Sequence, residues 1–355
     1  MFLSVLSLLI TPTAAADGST GLPPAEVTGL VQTWVTGFDQ DEEAVADPGT
    51  YGDPEDDAGF KLRRVRLGIQ GKSSSVKYGI TVGAAAPFDV VAENQGASFD
   101  LGLVDTYGGY APIEGLWITG GLQKVPVSRE ALTASSNLGL TDRAVSTHWL
   151  TPGRDLGAVV DYRWKQVRAR FGAFNGGGDL TGDDNEGKLY AGRLEVKLGE
   201  GAVYRTYGTV DGVTAGVAVD GWVNSDAAVS TQALGADFII RAGGLAVLSE
   251  ARMVRSAPKD DLERMPGVFS DTTRQGAMVQ LGYTVRRVEP IVRYSLLDDN
   301  VDSENGGDVS ELMSGATWHG QGDAVRAGLG YALRMEGGPN TIQNDTVRAW
   351  LQLKI

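Results

Sequence analysis

The chain has 355 residues, no cysteine, two histidines (His148 and His319) and a formal net charge of −14. That length is too great for one small domain and fits a single large β-barrel. The acidic sum argues against nucleic acid as a partner, and without CxxC or HExxH spacing no zinc site, other metal centre or cofactor is expected.

At the N-terminus, Phe2 to Ile10 form a short apolar run, followed by Pro12 and Ala14-Ala15-Ala16 before Asp17. Small residues at Ala14 and Ala16 fit a secretory signal over residues 1–16 with cleavage after Ala16, leaving 17–355 as the mature chain; a buried N-terminal strand is the alternative. Beyond this run nothing approaches the roughly 18 consecutive apolar residues of a membrane helix. Strands of about 10 residues with alternate positions apolar remain a way across a bilayer.

The rest of the chain is a series of period-2 segments broken by turn residues. The predicted strands are Val27 to Phe38, Phe60 to Lys72, Val76 to Ala85, Leu101 to Tyr110, Leu116 to Val125, Leu156 to Trp164, Val167 to Phe174, Lys188 to Leu198, Val213 to Val223, Ala233 to Ile240, Leu245 to Val254, Gly276 to Val285, Pro290 to Leu297, Val309 to His319, Ala324 to Met335 and Thr346 to Ile355. Almost no segment looks helical. Within the second strand Val65, Leu67 and Ile69 oppose Arg64, Arg66, Gly68 and Gln70; within the seventh Val167, Ala169, Phe171 and Ala173 oppose Arg168, Arg170 and Gly172. Aromatics near strand ends (Trp117, Tyr162, Trp164, Trp222, Tyr283, Tyr294) fit an interfacial girdle. A soluble sandwich also alternates, but the whole-length pattern and the girdle favour an all-β, 16-stranded antiparallel transmembrane barrel in the bacterial outer membrane.

The connections support that reading. Segments after even strands are short, such as Ser73 to Ser75 and Lys165-Gln166, as periplasmic turns are; those after odd strands are long and acidic, as extracellular loops are. Gly199 to Gly212 departs from the rule. It is long for a periplasmic turn and holds Tyr204 and Tyr207, but treating it as a strand breaks the alternation downstream, so it is read as a turn.

Between Gln123 and Gly157 the sequence becomes more specific. Gln123-Lys124-Val125-Pro126-Val127-Ser128-Arg129-Glu130, Leu132-Thr133, Ser135-Ser136-Asn137, Asp142-Arg143 and Pro152-Gly153-Arg154-Asp155-Leu156-Gly157 resemble the phosphate-selective porin O and P family. So do Phe60 to Gly68 and Val104 to Tyr110, with Pro112 and Gly115 to Trp117; the C-terminal hairpins fit less sharply. The resemblance covers nearly the whole mature chain. It implies a homotrimer of 16-stranded barrels and a narrow channel for phosphate or polyphosphate. It also implies that residues 126–151, the third external loop, fold into the pore. Two features depart from the family: the chain ends in Ile355 rather than Phe, and it has few of the channel lysines that phosphate passers carry.

The expected working site is an arginine-lined constriction that passes anions. The inward loop carries Ser128, Arg129, Arg143 and His148 and is flanked by Lys124 and Arg154. Strand parity turns Arg64, Arg66, Lys77, Arg168 and Arg170 away from lipid, where each cation costs about 2–4 kcal/mol near the midplane. Asp105 is the expected local counter-charge. Arg63 falls on the wrong parity in an ideal strand and is included only through the family's paired arginines. Arginine suits phosphate because its fork gives two parallel hydrogen bonds to an oxyanion. For most individual arginines, pairing with a lumen acid that stiffens the barrel is an equally good reading. Outer-membrane lipid and lipopolysaccharide are the expected surroundings. The rivals are a structural or adhesive barrel with a plugged lumen, and a barrel enzyme, which lacks GxSxG and has only His148 near Ser146; no enzymatic activity is expected.

Overall fold

The computed structural model describes residues 22–40, 59–84, 101–177, 187–226, 229–259, 271–305, 307–320, 323–337 and 344–355. Residues 1–16 and most of the acidic segments from Asp39 to Asp57, Asp179 to Glu186 and Asp260 to Glu263 lie outside them. Sixteen antiparallel strands close on themselves in sequence order. They are β1 (Glu26–Gln40), β2 (Gly59–Lys72), β3 (Val76–Ala84), β4 (Leu101–Ile113), β5 (Leu116–Lys124), β6 (Arg154–Trp164), β7 (Val167–Phe174), β8 (Leu189–Leu198), β9 (Val210–Ser225), β10 (Val229–Gly243), β11 (Leu245–Pro258), β12 (Thr272–Tyr283), β13 (Val288–Asp298), β14 (Val309–His319), β15 (Val325–Glu336) and β16 (Asn344–Lys354). β1 pairs with both β2 and β16, and Gly29 and Ile355 exchange two backbone hydrogen bonds of 3.1 and 3.0 Å across the seam. With every strand paired on both sides, no edge is left open, as a bilayer demands.

The alternation read from sequence sets the two faces. On β13, Val292, Tyr294 and Leu296 are exposed on the outside, while Glu289, Ile291, Arg293 and Ser295 are buried on the inside. On β10, Leu234 is 71% exposed and Phe238 and Ile240 share its face, opposite Asp237, Ile239 and Arg241. Two members of the expected girdle turn the other way. Trp222 packs inside against Phe174, Leu189 and Leu150, and Trp117 faces the lumen under Lys72 and Lys77. Strands β9 and β10 also run on to Ser225 and from Val229, so their connection is short where a long loop was expected.

What hydrophobic core there is lies inside the barrel. Ile239, Leu248, Met278, Ile291, Met313 and Ala332, on β10 to β15, face inward and would be wet in an open bore. They are covered by two connections. Residues 125–153, between β5 and β6, contain α1 (Arg129–Leu132), a 3-10 turn (Ser135–Asn137) and α2 (Val145–Trp149), helical pieces the strand pattern did not show. They bring Leu140 onto Ile291 and Met313, and Ala144 onto Ile239 and Leu248. Residues 199–209, between β8 and β9, add Val203 to the same cluster. Removing this apolar area from water, at roughly 25 cal/mol per Å², is what seats both segments against the inner wall.

Candidate functional site

A β-bulge on β2 resolves the parity of Arg63. Gln32 of β1 pairs with Arg64 and Thr33 with Leu62, so Arg63 is the extra residue. A bulge lets two consecutive side chains leave the same face. Both guanidiniums point inward and converge on Asp142 of the loop, at 3.6 and 3.5 Å. Arg64 also donates to Gln32 Oε1 (2.8 Å) and to the Thr141 carbonyl (3.1 Å), and Gln32 accepts that bond while donating to Gln352 across the barrel seam (2.7 Å). Burial works to raise the Asp142 carboxyl, but Arg63 and Arg64 override it and hold the group well below the usual carboxylate range.

Next to this pair, the wall of β2, β4, β5 and β6 collects more positive charge. Arg154 makes a two-pronged bridge to Asp105 (3.0 and 3.1 Å). Lys124 Nζ spends its three donors on the carbonyls of Ala131, Leu132 and Thr133 (2.6, 3.2 and 2.9 Å), closing the end of α1. Arg143 donates to the carbonyls of Glu130, Ala131 and Thr133. Arg66 sits among Arg154, Arg143, Asp105 and Arg63; among the described residues its guanidinium has no hydrogen-bond or ion-pair partner. Arg63, Arg64, Arg66, Lys124, Arg143 and Arg154 thus surround two carboxylates, Asp105 and Asp142. Glu130, the next acid, is taken by Arg293 (3.4 Å).

Ser128 and Arg129 depart from the expectation that they face a permeating ion. Both are fully buried. Ser128 has a positive φ of 56° and caps α1, accepting from the Ala131 N–H (3.0 Å). That backbone shape is costly for serine and is held by two carboxylates: the Ser128 N–H donates to Asp220 (2.9 Å) and its hydroxyl to Glu250 (2.6 Å). Arg129 bridges Asp237 (2.8 Å) and Glu195 (3.0 Å). Arg193 joins Asp220 and Asp237 (2.6 and 2.5 Å), and Arg252 pairs with Asp220 (2.6 Å). These groups form a buried latch that fixes the loop to β8–β11. Their charges are spent on each other.

The remaining expected residues lie nearer the short-turn end, away from the Arg66 group. Lys77 stands 4.9 Å over the Trp117 ring. Arg168 grips Asp161 (2.9 and 2.5 Å), and Arg170 bonds to the Tyr204 hydroxyl.

One difference of exposure organises all of this. Arg66, Lys77, Asp105, Lys124, Arg154, Asp161, Arg168 and Arg170, on β2 to β7, keep partial solvent access. Of the inward arginines of β8 to β16, Arg193, Arg241, Arg252, Arg293, Arg326, Arg334 and Arg348 are buried, and Arg274, near the loop end of β12, is half-buried. Water therefore reaches the β2–β7 side of the lumen more than the other, and the cation-rich group stands on that side with Arg63 and Arg64 buried within it.

A family model described as phosphate-selective porin O and P matches residues 38–235, more than half of the chain. The chain belongs to this family. It is an outer-membrane porin. Solved barrels share its fold at low identity. The anion-selective porin from Comamonas acidovorans is 13% identical, with a TM-score of 0.63 over 94% of this chain and 99% of that one. The outer membrane channel DcaP of Acinetobacter baumannii is 12% identical, with a TM-score of 0.60 over 96% and 100%. In-vitro folded OmpT of Vibrio cholerae, in a trimer form, is 11% identical, with a TM-score of 0.60 over 94% and 100%. Comparison with curated protein sequences gave no match.

The family's most specific segment in this porin now has a physical account. Gly153, at φ 73°, makes the left-handed turn that brings the loop back to the wall, and its carbonyl accepts from the Val125 N–H (3.0 Å) to close the loop's base. Arg154 holds Asp105. Asp155 accepts from the backbone of Leu156 and Gly176 (2.7 and 2.6 Å). Sequence reading missed the second inward segment. Its signal was available in the apolar residues on the polar parity of β10 to β15, which no water-filled bore would leave bare.

Proposed function

We propose that this porin passes small anions, phosphate and polyphosphate among them, through the solvent-accessible side of its bore, along β2 to β7. The observation that carries the reading is the cation excess there, with an Arg66 guanidinium that no group among the described residues occupies. A site with six cations around two carboxylates favours anions and repels cations over a range set by the Debye length. The donors are few, because Asp105 takes the Arg154 fork and Lys124 is bound to carbonyls. Arg66 offers a free fork to an oxyanion, and the rest supply field. Lys77 and Arg168, beside Asp161, form a second and weaker station toward the periplasm. Weak stations in series let one anion displace the last, so selectivity does not stop conduction. Trimer assembly is proposed from the family and from the trimer form of the similar Vibrio cholerae OmpT.

The test is the zero-current potential of the purified protein in a planar bilayer under a tenfold salt gradient, followed by chloride current measured against added phosphate. Anion-directed potential and block of chloride current by phosphate support the proposal. A potential of cation sign refutes it, and absence of any conductance moves the protein to the plugged, structural reading.

A further inference from the structure

Residues 199–209 are a turn by topology but not by position. They rise along the inner wall instead of crossing directly from β8 to β9. Arg241 holds them there, donating to the carbonyls of Ala202, Tyr207 and Gly208 (3.0, 2.6 and 3.0 Å), while the Gly208 N–H donates to Glu289 (3.1 Å). Arg205 pairs with Asp323 in the β14–β15 turn across the barrel. Near the periplasmic end they meet the tip of the 126–151 loop. The Thr206 N–H donates to the Asn137 carbonyl (3.1 Å), the Gly139 N–H to Thr206 Oγ1 (2.7 Å), and the Tyr207 hydroxyl to the Ser136 carbonyl (3.1 Å).

Two tyrosines anchor the contact. The Tyr204 ring lies between Arg129 of the loop and Arg170 of the wall, at 5.3 and 5.5 Å, and its hydroxyl donates to Glu195 (2.6 Å). The Tyr207 ring has Arg326 over it at 3.8 Å and His319 stacked at 5.1 Å. A guanidinium over an aromatic face is attractive, more so when desolvated. The loop tip has little rigidity of its own. Its helical pieces are one turn long, too short to hold shape alone; Arg326, Thr317 and Gln352 of the wall hold the carbonyls of Ser136, Leu138 and Gly139, while the Asn137 carbonyl and the Gly139 N–H find their partner on the turn. Buried backbone groups without partners are rare because they are costly.

We infer that residues 199–209 are an internal buttress that sets how far the 126–151 loop reaches across the bore, and so sets the width and selectivity of the passage. The loop arrives from the outer face and the buttress from the periplasmic face; they lock near the periplasmic end, beside His319 and Arg326, through Ser136, Asn137 and Gly139. Tyr204, Thr206 and Tyr207 are positioning residues: they act on permeation through the loop. The inference rests on reading the bore as a conducting passage, and it assigns to a periplasmic connection a role separate from the cation group itself.

None of the 355 residues is cysteine, which permits a clean test in planar bilayers. Tyr204→Ala with Tyr207→Ala should raise single-channel conductance and reduce the zero-current potential in a salt gradient. Adding Asn137→Cys and Thr206→Cys, then oxidising, should pin the tip to the buttress and restore both values; reduction should reverse the restoration. Heat-modifiable migration on a gel confirms a folded barrel in each case. If the double alanine variant does not fold, two milder ones decide. Tyr207→Phe keeps the ring stack and loses only the Ser136 bond, and should show more open-channel noise than wild type. Asn137→Cys with Thr206→Cys in the native background should form its disulfide on oxidation. A folded variant with wild-type conductance, noise and selectivity overturns the inference, as does failure of the disulfide to form. A wild-type channel without anion preference would refute the proposed permeation while leaving the conductance comparison valid.

Discussion

Arg66 offers the sharpest electrostatic prediction. It stands among Arg63, Arg143, Arg154 and Asp105, and among the described residues its guanidinium has no ion-pair partner, so neutralising it removes charge without breaking a described ion pair. For an anion passing about 6 Å away through water (dielectric about 80), one unit charge is worth about 0.7 kcal/mol. Arg66→Gln should therefore lower anion occupancy about threefold, and Arg66→Glu, a change of two charges worth about 1.4 kcal/mol, about tenfold. Both substitutions also favour cations, so the anion-to-cation permeability ratio falls by more than either figure. The Debye length shrinks from about 10 Å at 0.1 M salt to about 3 Å at 1 M, so the effect should fade in concentrated salt. Zero-current potentials of wild type, Arg66→Gln and Arg66→Glu, measured at low and high salt, test this directly. Equal potentials in all three proteins at low salt would refute the reasoning.

Other outcomes follow from the same geometry. Asp142→Asn should increase anion preference about threefold at low salt, since it removes a negative charge from the group; reversal potentials measure it. Burial pushes the Asp142 carboxyl up, but Arg63 and Arg64 hold it below its ordinary value of 3.8. Its contribution to loop docking is thus complete above about pH 4 and is lost only as pH falls through the lowered folded value, so channel conductance should hold steady from pH 7 to pH 4. Arg193→Met should leave Asp220 and Asp237 short of a buried partner at a cost of about 3–5 kcal/mol, read as a lower temperature for the gel-mobility shift. Leu140→Ala should weaken loop docking on Ile291 and Met313 by about 2–5 kcal/mol, read as added current noise with the barrel intact.

The barrel was legible in the sequence because a bilayer imposes a period of two on every strand. Val65, Leu67 and Ile69 against Arg64 and Arg66 give face, strand and sidedness at once. All sixteen strands were found within a few residues, and Val309–His319 matches at both ends. Arg63 was not legible by parity, since a bulge is an exception to the period that produces the expectation. The site was only partly readable for a different reason. Parity says that a cation faces the lumen, not whether an acid meets it there. Arg66 and Arg129 look alike in sequence, yet the first has no ion-pair partner among the described residues and the second is buried between Asp237 and Glu195. The partners come from strands about a hundred residues away, and only the closed barrel brings them together. Strand order makes the Tyr204–Tyr207 segment a turn, and its length is the sign that it does more than connect.

On the proposed permeation path, ions travel along the β2–β7 side of the lumen while the opposite side is filled. Because the native chain has no cysteine, single cysteines on the two sides can be compared with a negatively charged thiol reagent added to a conducting bilayer. Arg66→Cys should react and its current should fall; Ser295→Cys, on the inward face of β13 and fully buried, should keep its current unchanged. Equal loss of current at both positions, or loss at Ser295→Cys alone, would contradict the account.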